Sequence, residues 1–66
     1  MSIAKVIEVL AEGSNIEDAV QNAVTEASRT VKNIKHVYLS ETQALIDNNR
    51  VEKYRVNVKV TFVVEK

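Results

Sequence analysis

The stretch VEKYRVNVKVTFVVE, residues Val51 to Glu65, decides the fold of this chain. Apolar side chains stand at every second position, and polar side chains fill the positions between them. The apolar set is Tyr54, Val56, Val58, Val60, Phe62 and Val64. This two-residue period predicts a β-strand with one face on a core. At about 3.3 Å per residue, the strand is roughly 50 Å long.

A turn and a second strand precede this long strand. Asp47-Asn48-Asn49-Arg50 predicts the turn, because Asn tolerates positive φ. From Ile34 to about Ile46 the chain predicts another strand, in which Val37 and Leu39 alternate with polar neighbours such as His36. The two strands therefore form an antiparallel hairpin.

A two-residue turn at Asn48 and Asn49 fixes which residues face each other across the hairpin. The expected pairs are Val37 with Val60, Leu39 with Val58, His36 with Thr61, and Thr42 with Arg55. His36 and Arg55 then share the polar face but lie roughly 20 Å apart along the long strand. A site that uses both side chains must be built between subunits.

The segment Gly13 to Glu17 predicts a turn followed by the start of a helix. Gly13 permits the turn, Ser14 is a good N-cap, and Glu17 completes a capping box. Apolar residues then recur at steps of three and four: Ile16, Ala19, Val20, Ala23, Val24, Ala27, Val31 and Ile34. The helix is expected to contain about nineteen residues and to be roughly 28 Å long.

Ser2 to Ala11 predicts the first strand, which is apolar on both sides and is therefore expected to be covered on both faces. The order is β-α-β-β, in which the crossover makes the first two strands parallel and the third fits between them. The predicted fold is α+β: a three-stranded antiparallel sheet wrapped on one helix, as a single domain over residues 1–66.

The predicted domain is too small and too long to be stable as a monomer. Sixty-six residues bury only about 60% of their unfolded surface. The chain has no Cys to form disulfides, and a helix of roughly 28 Å cannot cover a strand of roughly 50 Å. Two open sheet edges also invite pairing. We therefore expect a homo-oligomer.

Composition excludes several functional classes. Nine basic and nine acidic residues cancel, so the chain has no net positive charge to attract nucleic acid or an anionic membrane. The N-terminal apolar run is too short for a signal peptide or a span, which predicts a cytoplasmic protein. One His, one Gly and no Cys leave no nucleophile–base pair and no phosphate-binding loop. The chain is therefore expected not to be an enzyme.

Three segments resemble the dodecin family: KVIEVLAEGS (5–14), IEDAVQNAVTEASRTVKNI (16–34) and YRVNVKVTFVVE (54–65). The resemblance covers nearly the whole chain. It implies a small β-α-β-β protein that assembles into a hollow homododecamer and binds flavins or related small molecules at subunit interfaces.

The resemblance also implies a cofactor-binding set consisting of His36, Arg55 and Glu41. His36 stands where flavin-binding members carry a stacking Trp, and Arg55 where they carry a Gln that contacts the ring edge. Glu41 matches an acidic residue that contacts the ribityl chain. An aromatic stack is worth about 1–3 kcal/mol. Losing about 2 kcal/mol on each side of the ligand weakens binding roughly a thousandfold.

Several ligand assignments remain open from the sequence. Arg55 offers only donors and a permanent charge, which favours anions. The ligand is thus a weakly held flavin (FMN, FAD or riboflavin) or a phosphate-bearing cofactor such as coenzyme A. The alternatives are a ligand-free structural cage, with His36 solvated and Arg55 paired to Glu41 or Glu52, and a calcium-binding assembly using Asp47 with Glu52. No metal site is assigned.

Overall fold

The computed structural model describes residues 2–65, so Met1 and Lys66 of the expected 1–66 domain lie outside the described part. The elements are β1 (Ser2–Gly13), α1 (Ile16–Ala27), β2 (Ile34–Asp47) and β3 (Arg50–Glu65). β3 lies in the centre of the sheet and is antiparallel to both neighbours. The predicted β-α-β-β order and the three-stranded antiparallel sheet are confirmed.

The core lies between α1 and one face of the sheet. On the helix its buried residues are Ala19, Ala23 and Ala27, and on β3 they are Val56, Val58 and Val60. The small alanines let the helix backbone approach the sheet closely, and each buried valine contributes about 1.5–3 kcal/mol. Partly buried side chains surround this cluster: Ile7, Val9, Ala11, Val20, Val31, Ile34 and Val37.

The helix begins one residue later than predicted. Asn15 is the N-cap, and its side-chain oxygen accepts a 2.7 Å hydrogen bond from the backbone N–H of Asp18. The predicted capping box of Ser14 and Glu17 is therefore wrong. The Ser14 hydroxyl instead donates to the Asp18 carboxylate at 2.9 Å. Ser and Asn are both favourable N-cap residues, so the sequence alone does not show whether Ser14 or Asn15 caps the helix.

Gly13 has a different role from the predicted one. No glycine in the described chain has positive φ, and Gly13 is the last residue of β1. A Cβ at this position would lie 2.5 Å from the backbone nitrogen of Ala19. Gly13 is therefore required because the first turn of α1 packs directly against its backbone.

The predicted end of the helix was wrong as well. α1 has 12 residues and ends at Ala27, so it is only about 18 Å long. Two backbone bonds after it span three residues, from Arg29 N–H to Glu26 and from Thr30 N–H to Ala27, which tightens the last turn. Asn33 then adopts φ 63° and turns the chain into β2.

The hairpin between β2 and β3 turns as expected. Asn48 and Asn49 both adopt left-handed conformations, with φ values of 52° and 65°. Two successive residues of this kind define a type I′ turn, whose twist matches that of the flanking strands. From the turn, β3 runs the full length of the sheet.

The register of the hairpin changes at Ser40. Val37 faces Val60, Leu39 faces Val58 and His36 faces Thr61, as predicted. The register shifts by one residue between Ile46 and Leu45 and shifts back at Ser40, which forms a β-bulge after Leu39, so between these two points Gln43 and not Thr42 lies opposite Arg55. The predicted Thr42–Arg55 pair was wrong, because the prediction assumed an unbroken register and no residue type in this segment marks a bulge.

One helix leaves much of the sheet uncovered. The described chain is 52 Å long, whereas the helix spans about a third of that length. Leu39, Ile46 and Val51 are therefore exposed near β2 and the hairpin turn. This uncovered apolar surface supports the expected oligomer. Among residues 2–65, no helix is long and apolar enough to cross a membrane.

Candidate functional site

A shallow depression lies on the sheet face opposite the helix. Five residues line it, and its volume is about 170 Å³. Leu10 comes from β1, Glu41 and Gln43 come from β2, and Arg55 and Asn57 come from β3. All three strands contribute because Leu10 and Glu41 both pair with Asn57, from opposite sides of the central strand.

The bulge at Ser40 creates this arrangement. Successive side chains of a strand point to opposite faces, so one extra residue exchanges the faces of everything beyond it. Glu41 and Gln43 consequently share a face with Asn57 and Arg55. Without the bulge they would point to the helix side. The Ser40 hydroxyl donates a 2.9 Å hydrogen bond to the backbone oxygen of Asn57, which ties the bulge to β3.

Arg55 is held by an acid that the sequence did not indicate. Its Nε and Nη2 atoms donate to one carboxylate oxygen of Glu12, at 3.0 and 2.7 Å. Lys53 Nζ lies 2.8 Å from the other oxygen of the same carboxylate. The sequence alternative of Glu41 or Glu52 as the partner of Arg55 was therefore wrong, since Glu12 lies directly opposite Arg55 on β1.

This cluster changes the proton affinity of its members. Hydrogen bonds from Lys53 and Arg55 hold the pKa of Glu12 below its ordinary value. The same carboxylate raises the pKa of Lys53 above its ordinary value. Glu12 and Glu41 together balance the charges of Lys53 and Arg55. The local balance weakens the preference for anions that Arg55 alone would give.

Two carboxamide side chains in the depression, those of Asn57 and Gln43, do not take part in this ion-pair cluster. The side-chain oxygen of Asn57 is shielded from solvent and has no hydrogen-bond partner among residues 2–65. Gln43 lies opposite Arg55, and its side chain is exposed. A buried acceptor without a donor costs about 1–3 kcal/mol. The depression thus contains one shielded acceptor, the Asn57 side-chain oxygen, that lacks a donor among residues 2–65.

His36 lies apart from the depression. It pairs with Thr61, six positions from Arg55 on β3, which places the two side chains roughly 20 Å apart. The structure brings Arg55 and Glu41 together but not His36. Within one chain the three expected site residues therefore do not form a single site.

Sequence reasoning missed three residues that line the depression: Leu10, Gln43 and Asn57. A signal for Gln43 was present in the polar run from Ser40 to Gln43, which interrupts the apolar alternation of β2. For Leu10 the signal was its place on the second apolar side of β1, where it remains 63% exposed. Ligand pockets usually measure about 300–1,000 Å³, so this depression is smaller than a typical ligand pocket.

A second, more open depression of about 340 Å³ lies beside the segment between α1 and β2. It contains none of the expected site residues. Within residues 2–65, no group of three or more His, Cys, Asp or Glu residues is placed to hold a metal ion. Asp47 and Glu52 therefore lack a third acidic or imidazole ligand among the described residues.

The comparisons with known proteins agree with this architecture. The family model named Dodecin matches residues 3–65, and the chain therefore belongs to the dodecin family. Dodecins are small proteins that bind and store flavins, and they form homododecamers. A search of the curated proteins found no match.

Solved structures give the same fold. The tt0972 protein from Thermus thermophilus is 24% identical, with a TM-score of 0.92 over 100% of this chain and 98% of that one. A dodecin from Streptomyces coelicolor is 27% identical, with a TM-score of 0.90 over 98% of this chain and 94% of that one. A dodecin from Streptomyces davaonensis is 18% identical, with a TM-score of 0.90 over 98% and 97% of the two chains.

Proposed function

We propose that this chain is a single dodecin-like domain that binds and stores a small molecule without catalysing a reaction. The ligand is a flavin held more weakly than in Trp-containing relatives, or a phosphate-bearing cofactor such as coenzyme A. The protein would act as a homododecamer in the cytoplasm. The observation that carries the proposal is the polar depression on the outer sheet face, in a chain of a flavin-binding family.

The residues of the depression suit the edge of a flavin ring. Arg55 uses its Nε and one Nη2 hydrogen on Glu12, which leaves three N–H donors for a ligand. Glu41 offers carboxylate acceptors for ribityl hydroxyls. Leu10 provides an exposed apolar wall for the ring face. When bound, the flavin would supply only its own redox and light-absorbing chemistry.

The remaining wall of the site would come from another subunit. The depression is smaller than a typical ligand pocket, and His36 lies too far away to reach it within one chain. We place His36 of a neighbouring subunit over the ring face exposed at Leu10. An imidazole covers less of a tricyclic ring than an indole does, so stacking there is weak.

A second candidate function is a structural cage that holds no ligand. One observation favours it: Glu12 already contacts both Lys53 and Arg55 within the chain. A site whose cation is already paired has less to gain from binding an anion.

Native mass spectrometry on protein purified without added ligand separates these functions. A twelve-subunit mass with additional flavin or nucleotide mass supports the binding shell. A twelve-subunit mass without added mass supports the cage if the protein also takes up no FMN or coenzyme A when these are added. A monomer contradicts both.

The role of Arg55 can be tested against a matched control. Arg55→Ala removes a depression residue, whereas Lys53→Ala removes a cation that contacts the same Glu12 outside the depression. We expect only Arg55→Ala to weaken FMN binding, by roughly tenfold, with the assembly intact. If Arg55→Ala fails to assemble and Lys53→Ala assembles, Arg55 has a structural role.

A further inference from the structure

We infer that the chain assembles through a head-to-tail contact, in which the hairpin tip of one subunit packs into the second depression of another. The hairpin tip is the turn between β2 and β3 with its flanking residues, 46–51. The occupant of the depression is therefore a second copy of this chain. The inference goes beyond the proposed function, since it names the two surfaces that meet and holds whether or not a ligand binds.

The hairpin tip is an apolar projection at one end of the sheet. Ile46 and Val51 pair across the hairpin and are 59% and 55% exposed. Single exposed apolar side chains need no partner, whereas neighbouring ones mark a surface that another molecule covers. The tip therefore presents two adjacent aliphatic side chains that the chain's own helix leaves uncovered.

The second depression is a recess with apolar walls. Its apolar lining residues are Val31, Phe62, Val63 and Val64. Its volume of about 340 Å³ is twice that of the first depression, and it falls within the range of about 300–1,000 Å³ that is typical of binding pockets. The recess is therefore large enough to receive aliphatic side chains such as those of the tip.

The charges around the two surfaces are complementary. Lys32 and Glu65 line the depression, while Asp47 and Arg50 pair across the turn at the tip. All four side chains are exposed, and none of them has an ion-pair partner among residues 2–65. Docking brings Lys32 to Asp47. The same orientation brings Glu65 to Arg50, so opposite charges fix how the tip enters the recess.

The two surfaces cannot meet within one chain. The tip lies where β3 begins and the depression lies where β3 ends, and the described chain is 52 Å long. Every subunit carries one tip and one depression, so each copy can give one contact and receive another. Contacts between unlike surfaces either form twice in an antiparallel dimer or close into a ring. A closed assembly of either kind leaves no tip exposed.

Cysteine cross-linking tests this contact, because the chain itself contains no Cys. The double variant Val51→Cys/Val64→Cys places one thiol at each surface, roughly 43 Å apart along β3. A short bis-maleimide reagent cannot span that distance, so any product joins two subunits. On denaturing gels we expect a covalent dimer or ring from the double variant and only monomers from each single variant. The control Gln21→Cys/Val51→Cys, whose first thiol lies on the exposed face of α1, should also give only monomers.

A charge exchange provides a second test that needs no cysteine. Arg50→Glu places a like charge against Glu65, and the further substitution Glu65→Arg restores an opposite pair. Native mass spectrometry follows the exchange of subunits between isotope-labelled and unlabelled assemblies. We expect Arg50→Glu to exchange subunits roughly fivefold faster than the unmodified protein, and the double variant to return to within about twofold of it. A double variant that exchanges as fast as Arg50→Glu contradicts the contact.

The outcomes separate this contact from the proposed function. If the unmodified protein is a monomer, the proposed assembly and this contact fail together. If it assembles but the double variant with Val51→Cys and Val64→Cys yields only monomers, the contact alone is refuted. A covalent dimer from Val51→Cys alone shows that tip meets tip, which also refutes it. Equal products from the control pair with Gln21→Cys overturn the assignment of the depression.

Discussion

The Gly13→Ala substitution tests how closely α1 packs on the end of β1. The new Cβ would lie 2.5 Å from the backbone nitrogen of Ala19 and 2.9 Å from its Cα. Ordinary contact begins at about 3.4 Å, so the helix start must move by nearly 1 Å. Backbone atoms cannot rotate away as a side chain does, and overpacking of this kind costs about 1–3 kcal/mol.

Thermal unfolding measures this cost. For a chain of this size, each kcal/mol shifts the melting temperature by about 4–8 °C, so a cost of about 2 kcal/mol, the middle of that range, lowers it by roughly 8–16 °C. Subunit concentration must be equal for the two proteins, since an oligomer melts at a concentration-dependent temperature. Ser14→Ala is the control, because it removes only an exposed hydrogen bond to Asp18. A Gly13→Ala protein that melts within about 2 °C of the unmodified protein would refute the packing argument.

Three further predictions concern the charge cluster and the stacking position. Glu12→Gln leaves one extra positive charge near Arg55, so binding of FMN relative to riboflavin should rise about two- to fivefold in a fluorescence titration; an equal change for both flavins contradicts this. The stability that Glu12 provides is lost as pH falls through its lowered pKa and as pH rises through the raised pKa of Lys53. The melting-temperature difference between the unmodified protein and Glu12→Gln should thus be largest between about pH 5 and 10, and a constant difference down to pH 2 would be inconsistent with it. His36→Trp should tighten riboflavin binding roughly ten- to hundredfold, and a variant that takes up no added flavin would support the structural cage.

The sheet was predictable because its signals are local and agree with each other. The alternating residues of β3 and the Asn48-Asn49 turn fix one hairpin, and the pairs from His36 to Leu39 agree with a count back from that turn because the two register shifts between them, at Leu45/Ile46 and at Ser40, cancel. The crossover rule then places β3 in the centre. These inferences need only a two-residue period and a turn type.

The helix end was not predictable because the apolar spacing continues past it. Val31 and Ile34 pack against the core although neither lies in α1. Because the chain turns at Asn33, the side chains of Val31 and Ile34 pack against the same cluster that a longer helix would contact. Apolar spacing reports which residues are buried, and it does not report the backbone conformation that buries them.

The site was predicted only in part. Arg55 and Glu41 line the same depression, but the position of Glu41 depends on the bulge at Ser40, which the sequence does not specify. The partner of Arg55 was missed because Glu12 is 43 residues away along the chain, and only the β1–β3 register brings the two side chains together. Long-range register is the information that a single sequence lacks.

The bulge at Ser40 divides β2 into two halves in which the same numbering parity faces opposite sides of the sheet. Before it, odd-numbered residues such as Val37 face the core; after it, odd-numbered residues such as Gln43 face the depression on the other side of the sheet. Deleting one residue here would leave the strand intact, but along half of its length the side chains that face the core and those that face the opposite side of the sheet would change places. A library that randomises every second residue of β2 must therefore switch from even to odd positions at Ser40 to stay on the sheet face opposite the helix.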